Sequence, residues 1–186
     1  ARRASDPALA RDLVLVIGEN GLDLAPRLGL PTPLLLKAGN WIGPLLVAAA
    51  EQGVERLLLF GYQGKLIKLA GGIFHTHHHL ADGRLEVLTT QAALLGLPLE
   101  QLQQLATAAS VDEGLRALAA VDAAAAQALQ HQVATAVEQR SAAYLVRHGD
   151  RVMRIGAVLF DRSRRLCAEG PSGSDLLQAF RARDLG

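Results

Sequence analysis

Three short apolar runs in the first third of the chain each end in glycine and lead into a helix-patterned stretch. They read DLVLVIG over 12–18, LLLKAG over 34–39 and RLLLFG over 56–61. Continuous apolar runs of this length suit strands buried on both faces, which belong to parallel sheets covered by helices. The repeated order of strand, glycine turn and helix predicts an α/β fold with a Rossmann-like, mainly parallel sheet flanked by helices. Core strands are expected near 13–17, 34–37, 56–60 and 154–160. Ligands of such sheets lie at the carboxyl ends of the strands. Here those ends are three loops. The first holds Gly18, Glu19, Asn20 and Gly21, the second Gly39, Asn40 and Gly43, and the third Gly61 and Gly64.

After the first loop a short helical stretch runs to about Leu28. Asn40 stands where a helix N-cap belongs, ahead of an apolar stripe of Trp41, Ile42, Leu45, Leu46, Ala49 and Ala50. Pro44 falls in the first turn, where its missing N–H costs nothing. From 81 to about 148 the chain reads as helix. Segments 81–95 and 99–109 are separated by Gly96 and Pro98. Ser110 and Glu113 form a capping box for a third helix, and 122–147 reads as one long helix. A late strand returns over 154–161, with a short partner strand at 166–168 and a final helix after Pro171. The fold expected is thus one α/β domain over 1–186 with a helix-rich second half.

Apolar residues make up 50% of the chain and the net charge is +1. A general nucleic-acid surface is not indicated. Cys167 is the one cysteine, so an intrachain disulfide is excluded and a reducing compartment is suited. No stretch approaches the roughly 20 apolar residues that span a membrane. The opening residues carry no apolar run of the kind a secretory signal needs. A cytoplasmic protein with neither membrane nor nucleic-acid partner is expected. The start at Ala1, about a dozen residues before a buried strand, suggests a piece of something longer.

The most informative stretch is 61–86, GYQGKLIKLAGGIFHTHHHLADGRLE. Gly64-Lys65 opens a helix after a strand, where free N–H groups and a lysine attract anions. Lys65 and Lys68 are three apart and are expected on one helix face. The spacing is not that of a Walker A loop, so nucleoside triphosphate binding is unsupported. His75, His77, His78 and His79 crowd five positions with Thr76 between them. Histidine suits metal binding and proton transfer alike. His75 and His77 would share a side on a strand, and His75 and His79 a face on a helix, but no carboxylate or cysteine partner is identifiable by spacing. A polar loop with structural hydrogen bonds is the simpler reading, and no permanent metal site is expected. Asp82 is a candidate helix cap, Arg84 and Glu86 follow it, and an ionic cluster of these residues with Lys65 or Lys68 is an alternative reading.

The string over 64–86 resembles the signature of the cobalt-precorrin-5B (C1)-methyltransferase family. The resemblance rests on Gly64-Lys65-Leu66, Lys68-Leu69-Ala70, Thr76-His77 and the order Asp82, Arg84, Glu86. Gly39-Asn40-Trp41-Ile42-Gly43 and Gly18-Glu19-Asn20-Gly21 are similar to two further family elements, and Phe160-Asp161 matches in style. Tyr62-Gln63 stand where members often have His-Pro. The family's N-terminal half, with its Gly-Thr-Thr-Gly-type opening and acidic segment, has no counterpart in this sequence.

The resemblance implies methyl transfer from S-adenosylmethionine to C1 of cobalt-precorrin-5B in cobalamin biosynthesis, with this chain as the C-terminal half. It points to His77 and Asp82 as catalytic residues. Cobalt-precorrins are rimmed with carboxylates, so Lys65, Lys68, Arg84 and Thr76 are the expected substrate contacts. The glycine-bearing loops are the expected S-adenosylmethionine site. Many Rossmann-like methyltransferases hold the ribose with an acidic residue after the second strand. Here Lys37 and Gly39-Asn40 stand there, which leaves Glu19 or Asn40. The N-terminal half of the same enzyme is an implied partner, and homo-oligomerisation stays open. Two other readings compete: a metal-dependent hydrolase using His75 and His77, and a non-catalytic tetrapyrrole-binding domain.

Overall fold

The computed structural model describes residues 11–77, 79–149 and 151–183. The opening segment read for a leader, and His78, lie outside these residues. The element order is β1 (Asp12–Ile17), α1 (Asn20–Arg27), a 3₁₀ turn (Thr32–Leu34), β2 (Leu35–Ala38), α2 (Ile42–Glu51), β3 (Arg56–Tyr62) and α3 (Gln63–Ala70). Then come α4 (Arg84–Leu94), α5 (Leu99–Ala106), α6 (Val111–Val121), α7 (Ala123–His148), β4 (Arg154–Phe160), β5 (Leu166–Glu169) and α8 (Pro171–Arg181). The sheet order is β2-β1-β3-β4-β5, parallel except for the antiparallel β4/β5 edge.

The runs of β1 and β3 are buried on both faces, whereas edge strand β2 leaves Leu36 and Lys37 exposed, and alternate residues of the central strands divide between two cores. Leu13, Leu15, Ile17, Leu57, Leu59 and Leu159 pack with residues of α2 to α7. Val14, Val16, Leu58, Phe60, Val158 and Phe160 pack with α1 and α8. The result is a three-layer α/β arrangement, as the run of strands and helices predicts. β2 starts one residue later than expected. Pro33 has no N–H to give a ladder, and Leu34 closes the 3₁₀ turn instead.

The helical boundaries shift for local reasons. Gly83 takes a left-handed conformation at φ 63 and occupies the N-cap of α4, so this helix starts at Arg84 rather than near 81, and Asp82 is not its cap. Trp41, not Asn40, occupies the N-cap of α2, and the Asn40 side chain is engaged elsewhere. The Ser110 cap is present: its Oγ accepts the Glu113 N–H at 3.3 Å. Asp122 separates α6 from α7 and caps α7 by accepting the Ala125 N–H at 2.9 Å.

Helix α7 is the scaffold of the second half. At 1.5 Å per residue its 26 residues span about 39 Å. Its Glu138 is buried and accepts three backbone N–H groups, from Ala157 at 3.0 Å, Ser172 at 3.1 Å and Gly173 at 2.6 Å. One carboxylate thereby satisfies the opening donors of α8 and fixes β4 beside it. At the amino end of the sheet, buried Asp12 receives both Arg56 nitrogens at 2.7 Å and pairs with Arg183 at 2.6 Å.

Candidate functional site

Parallel register brings the three glycine-bearing loops to one edge. Ile17 pairs with Ala38 on one side and with Gly61 on the other, so the chain leaves all three strands at the same height. The connection from β1 runs to β2, and the next strand lies on the opposite side of β1. The gap between β1 and β3 is therefore the topological switch point, where ligands of open α/β sheets bind.

Two groups define this crevice. Gly18 follows β1 at φ 93, and a side-chain carbon there would lie 3.5 Å from Lys65 Nζ. Lys65, in the first turn of α3, thus reaches across from β3 to the β1 loop. Its ammonium has no ion pair or hydrogen bond among the described residues. Glu19 is committed to an ion pair with Lys37 of β2. Asn20 opens α1, and its Oδ1 accepts from Arg164 at 3.3 Å.

The histidine segment is tied to the second loop. Trp41 and His75 form an antiparallel bridge, and their rings meet edge-on at 4.5 Å. The Thr76 N–H donates to the Asn40 carbonyl at 2.9 Å, and the Thr76 hydroxyl donates to Asn40 Oδ1 at 3.1 Å. Trp41 is 64% exposed beside this junction. His75 Nδ1 lies 3.4 Å from the His77 N–H, and His77 Nδ1 lies 3.4 Å from the His79 N–H. A backbone N–H can only donate, so each Nδ1 is the acceptor of its contact. Among the described residues no group of three or more His, Cys, Asp or Glu side chains is placed to hold a metal ion.

Several expected contacts are revised. Lys68 does not share an exposed face with Lys65. It is 1% exposed, and its ammonium donates to the carbonyls of Thr76 and His77, each at 3.4 Å, and to that of Ala81. Three donors meet three acceptors, so Lys68 anchors the histidine loop instead of facing a substrate. Burial lowers its pKa, opposed by the nearby Asp82 carboxylate. Thr76 is buried too, with its hydroxyl spent on Asn40. Gly21 faces the core: a side-chain carbon there would come within 2.6 Å of Val16. Gly43 gives way to the Tyr144 hydroxyl. Both glycines serve packing beneath the loops. Asp82 and Arg84 bind each other through two hydrogen bonds, of 2.5 and 2.8 Å. The Arg84 guanidinium holds the Asp82 carboxyl below its usual range, so Asp82 stays ionised and is a weak proton acceptor.

A second cluster sits at the ends of β3 and β4, and sequence reasoning does not find it. The Tyr62 hydroxyl donates to Asp112 Oδ2, and Gln63 Nε2 donates to Asp112 Oδ1 at 3.0 Å. Arg162 Nε lies 3.1 Å from the Tyr62 oxygen and 3.2 Å from Asp112. Burial, then the Asp112 contact, pushes the Tyr62 phenol up. Burial pushes the Cys167 thiol up to about 12, which leaves it inert as a nucleophile. The members are spread over 62–167, so only the fold unites them. The one local signal is the acidic residue two places after the Ser110 cap.

The model of the family described as CbiD, C-terminal domain, matches residues 75–171, just over half of the chain. The chain belongs to the CbiD family. A protein named cobalt-precorrin-5B C(1)-methyltransferase from Synechococcus sp. (strain CC9902) is 63% identical over 171 residues, 92% of this chain and 47% of its own length. Proteins of the same name from Prochlorococcus marinus (strain MIT 9313) and Synechococcus sp. (strain CC9605) are 60% and 62% identical, with 43% and 45% of their lengths covered. This CbiD chain therefore spans just under half the length of these relatives. No solved structure matches it.

Proposed function

We propose that this chain is the C-terminal half of an S-adenosylmethionine-dependent C-methyltransferase acting at C1 of cobalt-precorrin-5B on the route to cobalamin. What carries the reading is 63% identity to a relative of that name across 92% of the chain. The chain acts as one α/β unit with the N-terminal half as its partner, in the cytoplasm.

The β1/β3 crevice fits the methyl donor. Gly18 at φ 93 keeps the loop free of a side chain where Lys65 crosses it. Lys65 and the opening N–H groups of α3 suit the donor's carboxylate. Glu19, beside β2, suits the ribose hydroxyls by exchanging its exposed ion pair with Lys37 for them, with Asn20, Gly39 and Asn40 around it. The donor supplies an electrophilic methyl group on a sulfonium. The chain's own residues orient it and exclude water. His77 stands in the loop that Lys68 anchors and is the proposed histidine contact to the substrate. Arg84 remains a carboxylate contact only by sharing its guanidinium with Asp82.

The test is methyl transfer from labelled S-adenosylmethionine. The chain alone is expected to be inactive, and mixing it with the N-terminal half of a relative is expected to restore turnover. Full activity of the chain alone, or none in the mixture of folded halves, would contradict the reading. In the complete enzyme His77→Ala is expected to lower turnover while His79→Ala changes little. Equal losses would remove His77 from the site.

A further inference from the structure

A separate cleft of ≈ 340 Å³ opens between α6, the start of α7 and the turn after β4. Its size falls within the range of small-ligand pockets. Its apolar lining is buried Leu115 and Ala126 together with exposed Ala119. Three cations line it: Arg116 from α6, and Arg162 and Arg165 from the turn. Two carboxylates, Asp112 and Asp161, share it. Asp112 engages Arg162, and Asp161 engages Arg165 at 3.2 Å. Arg116 has no ion pair or hydrogen bond among the described residues. The cleft therefore carries three positive and two negative groups, a surplus of one positive charge, over an apolar base.

We propose that this cleft binds the carboxylate of an organic acid, with Arg116 as its principal cation and the apolar floor beneath the acid's carbon skeleton. A guanidinium presents paired N–H donors that match a carboxylate's two oxygens. The surplus of one charge favours a monoanion. A phosphate dianion would meet Asp112 and Asp161 with its second charge uncompensated. This cleft opens on the β4 side of the α3 start, with Gln63 on its wall and Lys65 outside its lining, and binding in it does not depend on methyl transfer.

The test is an amide-resolved NMR titration of the 186-residue chain. The probes are 3-phenylpropionate, the uncharged 3-phenylpropanol and inorganic phosphate. Saturable shifts at 112–119 and 161–165 are expected with phenylpropionate alone. Arg116→Gln should weaken it about tenfold or more, the scale of one lost charge-assisted hydrogen bond, with an unchanged Tm. Arg116→Lys, which keeps the charge but loses the paired donors, should fall between. Lys65→Gln should leave this binding intact. No saturable shift at these amides, equal affinity for phosphate or the alcohol, or indifference to Arg116→Gln would each overturn the proposal.

Discussion

At the residue scale, the same residue type takes opposite roles three positions apart. Lys65 projects across the switch-point crevice, whereas Lys68 is buried against three carbonyls. Helical spacing predicts a shared face but cannot say which carbonyls the next loop will present. Glu138 makes a second case. Among the described residues it is the one carboxylate that accepts three backbone N–H groups. Burial holds its carboxyl above the ordinary value of 4.5, against the lowering effect of those N–H donors and Arg154. A raised value means that the folded state binds this proton more tightly. The stability it contributes is fully present below 4.5 and is lost as pH rises through the folded pKa. The stability advantage of the wild type over Glu138→Gln is thus expected to shrink from acid to neutral pH. Urea melts of both proteins at the two conditions check this, and a growing advantage would contradict it.

At the scale of elements, close approach of backbones sets what each helix can do. Gly156 and Gly173 bring α8 against β4, and a side-chain carbon on Gly156 would lie 2.8 Å from the Gly173 backbone. One on Gly173 would strike the Ala157 carbonyl. Gly173→Ala is expected to destabilise the chain by about 1–3 kcal/mol, the ordinary cost of overpacking. A melt within error of the wild type would show that α8 slides freely on the sheet. Strand positions were legible in the sequence because runs such as 13–17 and 56–60 are apolar at every residue, and only a doubly covered sheet buries both faces. Helix starts were less so. Gly83 rather than Asp82 opens α4, and Asn40 leaves the cap of α2 to hold Thr76. Both outcomes depend on partners more than thirty residues away or on a backbone angle, neither of which spacing reports. The candidate site was half legible. The loops at the strand ends followed from the fold rule, but the Tyr62–Asp112–Arg162 cluster joins residues that no local pattern connects.

At the scale of the whole molecule, the buried ion-pair lock and the candidate site occupy opposite ends of the sheet. Asp12, Arg56 and Arg183 lock the amino end with a buried carboxylate between two guanidinium groups. The carboxyl end carries the glycine-bearing loops, the histidine segment and the exposed cations. Substitutions at the two ends should therefore separate in what they change. The β1/β3 crevice, with Lys65 across it, is the proposed working site of the complete enzyme. Methyl-transfer kinetics of the complete enzyme carrying Lys65→Ala or Lys68→Ala, each with a thermal melt, test it most directly. Lys65→Ala is expected to cost about 1.5–3 kcal/mol in kcat/KM with an unchanged Tm, the range for hydrogen bonds to charged groups. Lys68→Ala is expected to lower Tm, because it leaves buried carbonyls unpaired. Unchanged kcat/KM for Lys65→Ala, or a loss that only follows a lowered Tm, would contradict the account.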